Sequence, residues 1–112
     1  MARSLILSVA GYDVKAAAST DAALAIFRRC QVDLVVADHF LPGITGAELA
    51  TAMKALRPQV PFVLLMVAPE WPSSAKNVDL VLIKGMEPKD FLSDIDRLLN
   101  REVRKAASTG TN

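Results

Sequence analysis

An α/β domain with a parallel sheet covered by helices on both faces is the fold class this sequence predicts. Three observations carry the expectation. "DLVVAD", "PFVLLMVA" and "DLVLI" are continuous apolar runs, as in strands buried on both sides. Amphipathic helical stretches separate them, so strand and helix signals interleave along the chain. A length of 112 residues suits one compact domain and is too short for two.

The elements follow in order. Leu5, Ile6, Val9 and Ala10 share one face of a short first helix. Gly11 ends it where the backbone needs a positive φ. "YDVKAA" then reads as a short strand. In "STDAALAIFRR", Ser19 or Thr20 is the N-cap, Asp21 sits in the first turn, and Ala23, Leu24 and Phe27 form the inner stripe. "DLVVAD" follows, and a Pro42-Gly43 turn leads into "GAELATAMKAL", where Leu49, Met53 and Leu56 align. Arg57-Pro58 closes that helix, because the residue before a proline avoids the helical region. After two further strands, Glu87-Pro88 opens the last helix, with proline tolerated in the first turn. Its inner stripe is Phe91, Leu92, Ile95, Leu98 and Leu99. Residues 1–105 read as one domain, and 106–112 as a polar, disordered tail.

Composition narrows the function classes. No apolar run approaches the roughly 20 residues of a membrane span. "SLILSVAG" is followed at once by polar "YDVK" and fits an amphipathic helix better than a signal peptide. The lone Cys30 excludes an internal disulfide and a cysteine metal cluster, and it fits a reducing cytoplasm. A net charge of +1 gives no general argument for nucleic acid. Arg97, Arg101, Arg104 and Lys105 gather near the end of the last helix, where cations offset its dipole. The sequence has no Gly-rich phosphate loop and no Ser-His-Asp set.

Chemistry is expected at one edge. The strands of an open parallel sheet all end on the same side, and ligands bind just beyond it. Asp38, Met66-Val67 and Lys84 end the three apolar strands and should converge there. A carboxylate facing an ammonium suits a phosphoryl site, with the carboxylate as nucleophile and the ammonium on a phosphoryl oxygen. It equally suits an Asp-Lys ion pair that closes the sheet, and spacing alone does not choose. His39 reads as a surface or cap residue, Met53, Met66 and Met86 as packing, and Trp71 as a plug in a shortened crossover or, alternatively, an exposed interface anchor.

"DLVVADHFLPGITGAEL", followed by "LRPQVPFVLL" and then "LVLIK" with a closing amphipathic helix, resembles the receiver domain of bacterial two-component response regulators. "AGYDVKAAASTDAAL" resembles that family's passage from its first helix into its second, and the likeness runs from Arg3 to Leu99. The resemblance implies a flavodoxin-like three-layer sandwich and a role in phosphorelay signalling, with a sensor kinase or signalling protein as partner. By position, Asp38 resembles the phospho-accepting aspartate, and Lys84 the lysine that contacts the phosphoryl group. Phe40 stands where a backbone carbonyl binds Mg²⁺.

Several positions depart from that family. Its central first strand, which ends in a Mg²⁺-binding acidic pair, has no counterpart here. Its switch hydroxyl aligns with Met66 and its switch aromatic with Val81. Gly85 replaces the proline after the lysine, so no cis peptide is expected there. "APEWPSSAKNV" has room for one turn at most of the family's fourth helix. Mg²⁺ takes about six oxygens, with one or two carboxylates among them. Asp38 and the Phe40 carbonyl supply two. Asp13, Asp33 and Asp79 precede their strands and belong at the opposite edge, Asp21 reads as a helix-start charge, and Glu70 lies in the crossover. The expectation is no cofactor, or at most weakly held Mg²⁺.

The sequence therefore predicts a non-enzymatic, cytoplasmic, receiver-like module that acts through protein contacts, with Asp38 poorly phosphorylated or not at all. One alternative is an active phospho-acceptor completed by a strand from a longer chain or a partner. Another is a purely structural dimerisation domain. Loss of the central strand leaves "YDVKAA" and "DLVVAD" with unpaired edges, which recruit other strands, so a homodimer is expected. Neither a nucleic-acid nor a membrane partner is expected, and no DNA-binding output domain is in view after the last helix.

Overall fold

The computed structural model describes residues 2–67 and 76–111. The expected remnant of a fourth helix, with Glu70 and Trp71, lies outside the described residues, as do the side chains of Arg101, Arg104 and Lys105. The elements run α1 (Ala2–Val9), α2 (Thr20–Arg29), β1 (Val35–Asp38), α3 (Gly46–Leu56), β2 (Phe62–Met66), β3 (Leu80–Ile83) and α4 (Pro88–Thr111).

The three strands form a parallel sheet in the order β1-β2-β3, with Val35 opposite Phe62 and Val63 opposite Leu80. Apolar cores lie on both faces. Phe27 of α2 and Leu49, Ala50 and Met53 of α3 pack with Phe62 and Leu64 on one side. Phe91, Ile95 and Leu98 of α4 pack with Val63, Leu65 and Leu82 on the other, and Ile6 and Leu7 of α1 join them. This is the predicted three-layer α/β arrangement. Phe62 to Leu65 are buried because β2 is flanked on both sides, whereas β1 is half-buried at an edge. Each fully buried large side chain is worth about 1.5–3 kcal/mol of transfer free energy.

The helix ends follow the local chemistry of the sequence. Ser19 Oγ accepts the Ala22 N–H at 3.0 Å and caps α2. Thr45 and Glu48 form a reciprocal capping box on α3. α1 ends in a Schellman motif, with Gly11 at φ +102° and the Tyr12 N–H donating to the Leu7 carbonyl.

Some expectations need correction. "YDVKAA" forms no strand: Tyr12 and Val14 are half-buried and Asp13 and Lys15 exposed, yet the segment joins no ladder. The alternation is present; a neighbouring strand to pair with is not. On α1 the inward residues are Ile6 and Leu7, while Leu5 and Val9 are 65% and 79% exposed. α1 packs against α4, and only part of its apolar face is covered among the described residues. Leu56, at the last position of α3, is also exposed, because burial concentrates in the first turns around Gly46, Ala47, Leu49 and Ala50. The α4 backbone is helical through Thr111. No cis peptide bond occurs among the described residues. No described helix is long and apolar enough to cross a membrane.

Candidate functional site

The carboxyl edge of the sheet is built first by β1. Its ladder continues past the strand, with the His39 N–H donating to the Leu65 carbonyl at 3.1 Å, and this holds Asp38 at the edge. The chain then reverses through Gly43, at φ +85°, and Phe40 bridges Thr45. The Gly46 N–H donates to the His39 carbonyl at 2.6 Å. A Cβ on Gly46 would lie 2.4 Å from the Asp38 carbonyl oxygen and 2.5 Å from Leu64 Cδ1. Only glycine lets α3 start this close to the strand that carries Asp38.

β3 supplies the opposing charge. The Lys84 N–H donates to the Met66 carbonyl at 2.8 Å, extending the ladder one residue beyond β3. Gly85 turns the chain at φ +88°, and the Met86 N–H closes the turn on the Ile83 carbonyl. Lys84 Nζ then lies 3.6 Å from Asp38 Oδ1, with side chains 45% and 27% exposed. The carboxylate and ammonium named from the sequence therefore meet across β2, although 46 positions separate them (84 − 38). An ion pair this open to water adds about 0–1 kcal/mol to stability. Its chemical value is a cation placed beside a carboxylate oxygen.

Met66, Val81 and Phe40 are the other positions named from the sequence. Met66 ends β2 and Val81 sits opposite Leu64, both half-buried against the α2 and α3 core, and neither offers a hydroxyl or an aromatic ring. Phe40 is 77% exposed, its ring edge-on to His39 with centroids 5.0 Å apart. Hydrogen bonds from the Thr45 N–H and hydroxyl hold the Glu48 carboxyl below the usual range, with a smaller push from the charge of His39. Glu48 is thus committed to the α3 cap.

Asp38 and the Phe40 carbonyl remain the two ligands in view, and among the described residues no three His, Cys, Asp or Glu side chains cluster to hold a metal. Asp13 is exposed and pairs with Lys15 at 3.6 Å. Asp79, at the start of β3, accepts from Lys54 Nζ and from the Phe62 N–H, both at 2.7 Å.

Three supports were not legible beforehand. Besides the Gly46 approach, Arg57 lies 4.9 Å over the Phe27 ring and donates to the Cys30 and Arg28 carbonyls at the end of α2. The Tyr12 hydroxyl donates to Asp96 of α4. A cation just after a helix and an aromatic just after a glycine are too common to signal such contacts.

Comparison with known proteins adds independent findings. The family described as response regulator receiver domain matches residues 1–96. A probable transcriptional regulator, ycf27, from Porphyridium aerugineum is 31% identical over 106 residues, covering 91% of this chain and 43% of that protein. The phosphate regulon transcriptional regulatory protein PhoB of Pseudomonas aeruginosa is 26% identical over 104 residues, covering 88% and 45%. The chain thus spans less than half the length of these relatives. Among solved structures, a CheY-like receiver domain protein from Methanospirillum hungatei JF-1 superposes with a TM-score of 0.84 at 24% identity, covering 93% of this chain and 86% of that one. The response regulator protein TrrA from Thermotoga maritima, solved in complex with Mg²⁺-BeF, gives 0.77 at 25% identity, covering 87% and 89%.

Proposed function

The chain belongs to the response regulator receiver domain family, and from that premise we propose that it is a receiver-like signalling module working through protein-protein contacts, with Asp38 as its phosphosite by position. Phosphorylation of Asp38 is weak or silent in this reading. The observation that carries it is the Asp38–Lys84 pair at 3.6 Å, with no cluster of three metal-ligating side chains among the described residues. Transfer of a phosphoryl group is catalysed almost entirely by positioning and by neutralising its charge. With the Lys84 ammonium beside Asp38 and no such cluster among the described residues, that neutralisation is weak in this reading. Met66 and Val81 then give a phosphorylated state no hydroxyl or ring to relay it.

The module is not itself an enzyme in this reading. It resides in the cytoplasm, where Cys30 stays a thiol, and its partner is a sensor kinase or another signalling protein. The chain spans less than half of relatives named as transcriptional regulators, and in this reading DNA control is not its own task, in keeping with its near-neutral charge. The test is incubation with a small acyl phosphate, followed by a phosphate-affinity gel. No Asp38-dependent band is expected. A retarded band that vanishes in Asp38→Asn overturns the silent-site reading.

One observation favours a second reading, an active acceptor completed by an added strand. Among the described residues β1 pairs on one side only, and Leu5 and Val9 stand exposed on α1. Open edges recruit strands from a longer chain, a partner or a second copy. A homodimer is the simplest form, and light scattering that finds a monomer at tens of micromolar removes it.

A further inference from the structure

We infer that Asp79 and Lys54, at the amino edge of the sheet, are positioning residues for the site at the carboxyl edge. They lock the register in which β3 pairs with β2, and that register brings Lys84 to Asp38. This rests on reading the Asp38–Lys84 pair as the site, and it names what keeps the pair in place.

The need for a lock comes from the strand itself. Leu80, Val81, Leu82 and Ile83 are all apolar, and an apolar core lies on each face of the sheet. A one-residue slip turns every side chain to the opposite face. An alternating strand would bury polar groups by slipping, whereas β3 exchanges one apolar residue for another. The site does not survive the exchange, because Ile83 or Gly85 then stands where Lys84 meets Asp38. Among the described residues β3 has one neighbouring strand, so no second ladder corrects it.

Asp79 carries the one hydrogen-bonding side chain between Val78 and Ile83. Its N–H donates to the Phe62 carbonyl at 2.9 Å, and its carboxylate accepts the Phe62 N–H at 2.7 Å. Lys54 Nζ donates to the same carboxylate oxygen at 2.7 Å and to the Val60 carbonyl at 2.8 Å. A slip of β3 therefore breaks a bond at both ends of the Asp79 carboxylate. Asn77 Nδ2 adds a second tie to α3, donating to Thr51 Oγ1 at 2.9 Å, one helical turn from Lys54. At its first residue α3 is fixed to β1, through the Gly46 N–H on the His39 carbonyl. One helix thus references the strand that carries Asp38 and the strand that carries Lys84. Lock and site lie five residues apart along the chain (84 − 79), or roughly 16 Å of strand.

The test is amide hydrogen exchange on the ¹⁵N-labelled full chain. The quantity read is protection of the Lys84 amide, which donates to Met66, divided by that of Ala37 in β1, so that a change in global stability cancels. Asp79→Ala is expected to lower this ratio by about tenfold or more, the loss of one charge-assisted bond read as local opening. Nuclear Overhauser contacts between Leu65 and Leu82 should weaken with it. Lys54→Arg keeps a cationic donor and should stay near the wild-type ratio. Phe27→Leu loosens the opposite core and should leave the ratio unchanged. Should Asp79→Ala fail to fold, Lys54→Met carries the same comparison, with a fall in the ratio expected. Equal loss of protection at both amides marks a merely structural role and overturns the inference, as does a wild-type Lys84 amide that exchanges freely. No phosphoryl donor enters this experiment. An Asp38-dependent band in the acyl-phosphate gel therefore sinks the silent-site reading alone, and an unchanged exchange ratio sinks the register lock alone.

Discussion

Gly46 sets the distance between α3 and the strand that presents Asp38. The obstacle to a Cβ there is a backbone oxygen, which cannot rotate away as a side-chain end can. Gly46→Ala is therefore expected to cost about 1–3 kcal/mol, as overpacking does. The urea midpoint should fall with an unchanged slope, and the amide signals of Asp38 and His39 should shift. At the opposite edge, Lys54 is only 17% exposed and donates to the Val60 carbonyl at 2.8 Å as well as to Asp79. Lys54→Met removes the charge and leaves Asp79 with the Phe62 N–H as its remaining named donor. A loss of about 1–3 kcal/mol is expected for such a charge-assisted bond. A double-mutant cycle with Asp79→Asn should find coupling between the two, and additivity would refute the node.

Elements are joined by contacts of the same kind. Arg57, just past α3, satisfies two carbonyls at the end of α2 and covers Phe27, so it fastens two helices on one face. On the other face, Tyr12 fastens the exit of α1 to Asp96 of α4. Partial burial, the hydrogen bond to Asp96 and the charge of Asp96 together raise the Tyr12 pKa to about 12. The folded state thus holds the phenol proton more tightly than the unfolded chain, whose tyrosine titrates near 10. Stability from this contact is complete below about pH 10 and is lost as pH rises towards 12. Melting temperatures taken across that alkaline range should fall more steeply for the wild type than for Tyr12→Phe. Parallel curves would show that the hydroxyl does not link α1 to α4.

At the scale of the whole molecule, the legible parts were those that a segment specifies by itself. Continuous apolar runs marked β1, β2 and β3, and a parallel sheet necessarily brought Asp38 and Lys84 to one edge. What depends on a neighbour was not legible. "YDVKAA" alternates like a strand but joins no ladder, and Leu5 and Val9 belong to an apolar face that nothing described covers. The same gap makes the assembly testable at single amides. In β1, the N–H groups of Val35 and His39 donate to Pro61 and Leu65 of the β2 side, and the parallel register continues this through Ala37. The intervening Val36 N–H therefore points away from β2, along the open edge. If a second copy adds its strand there, Val36 should exchange with deuterium nearly as slowly as Ala37, and dilution to monomer should release Val36 first. If Val36 exchanges quickly at every concentration while Ala37 stays protected, β1 is an uncovered edge and any self-association uses another surface.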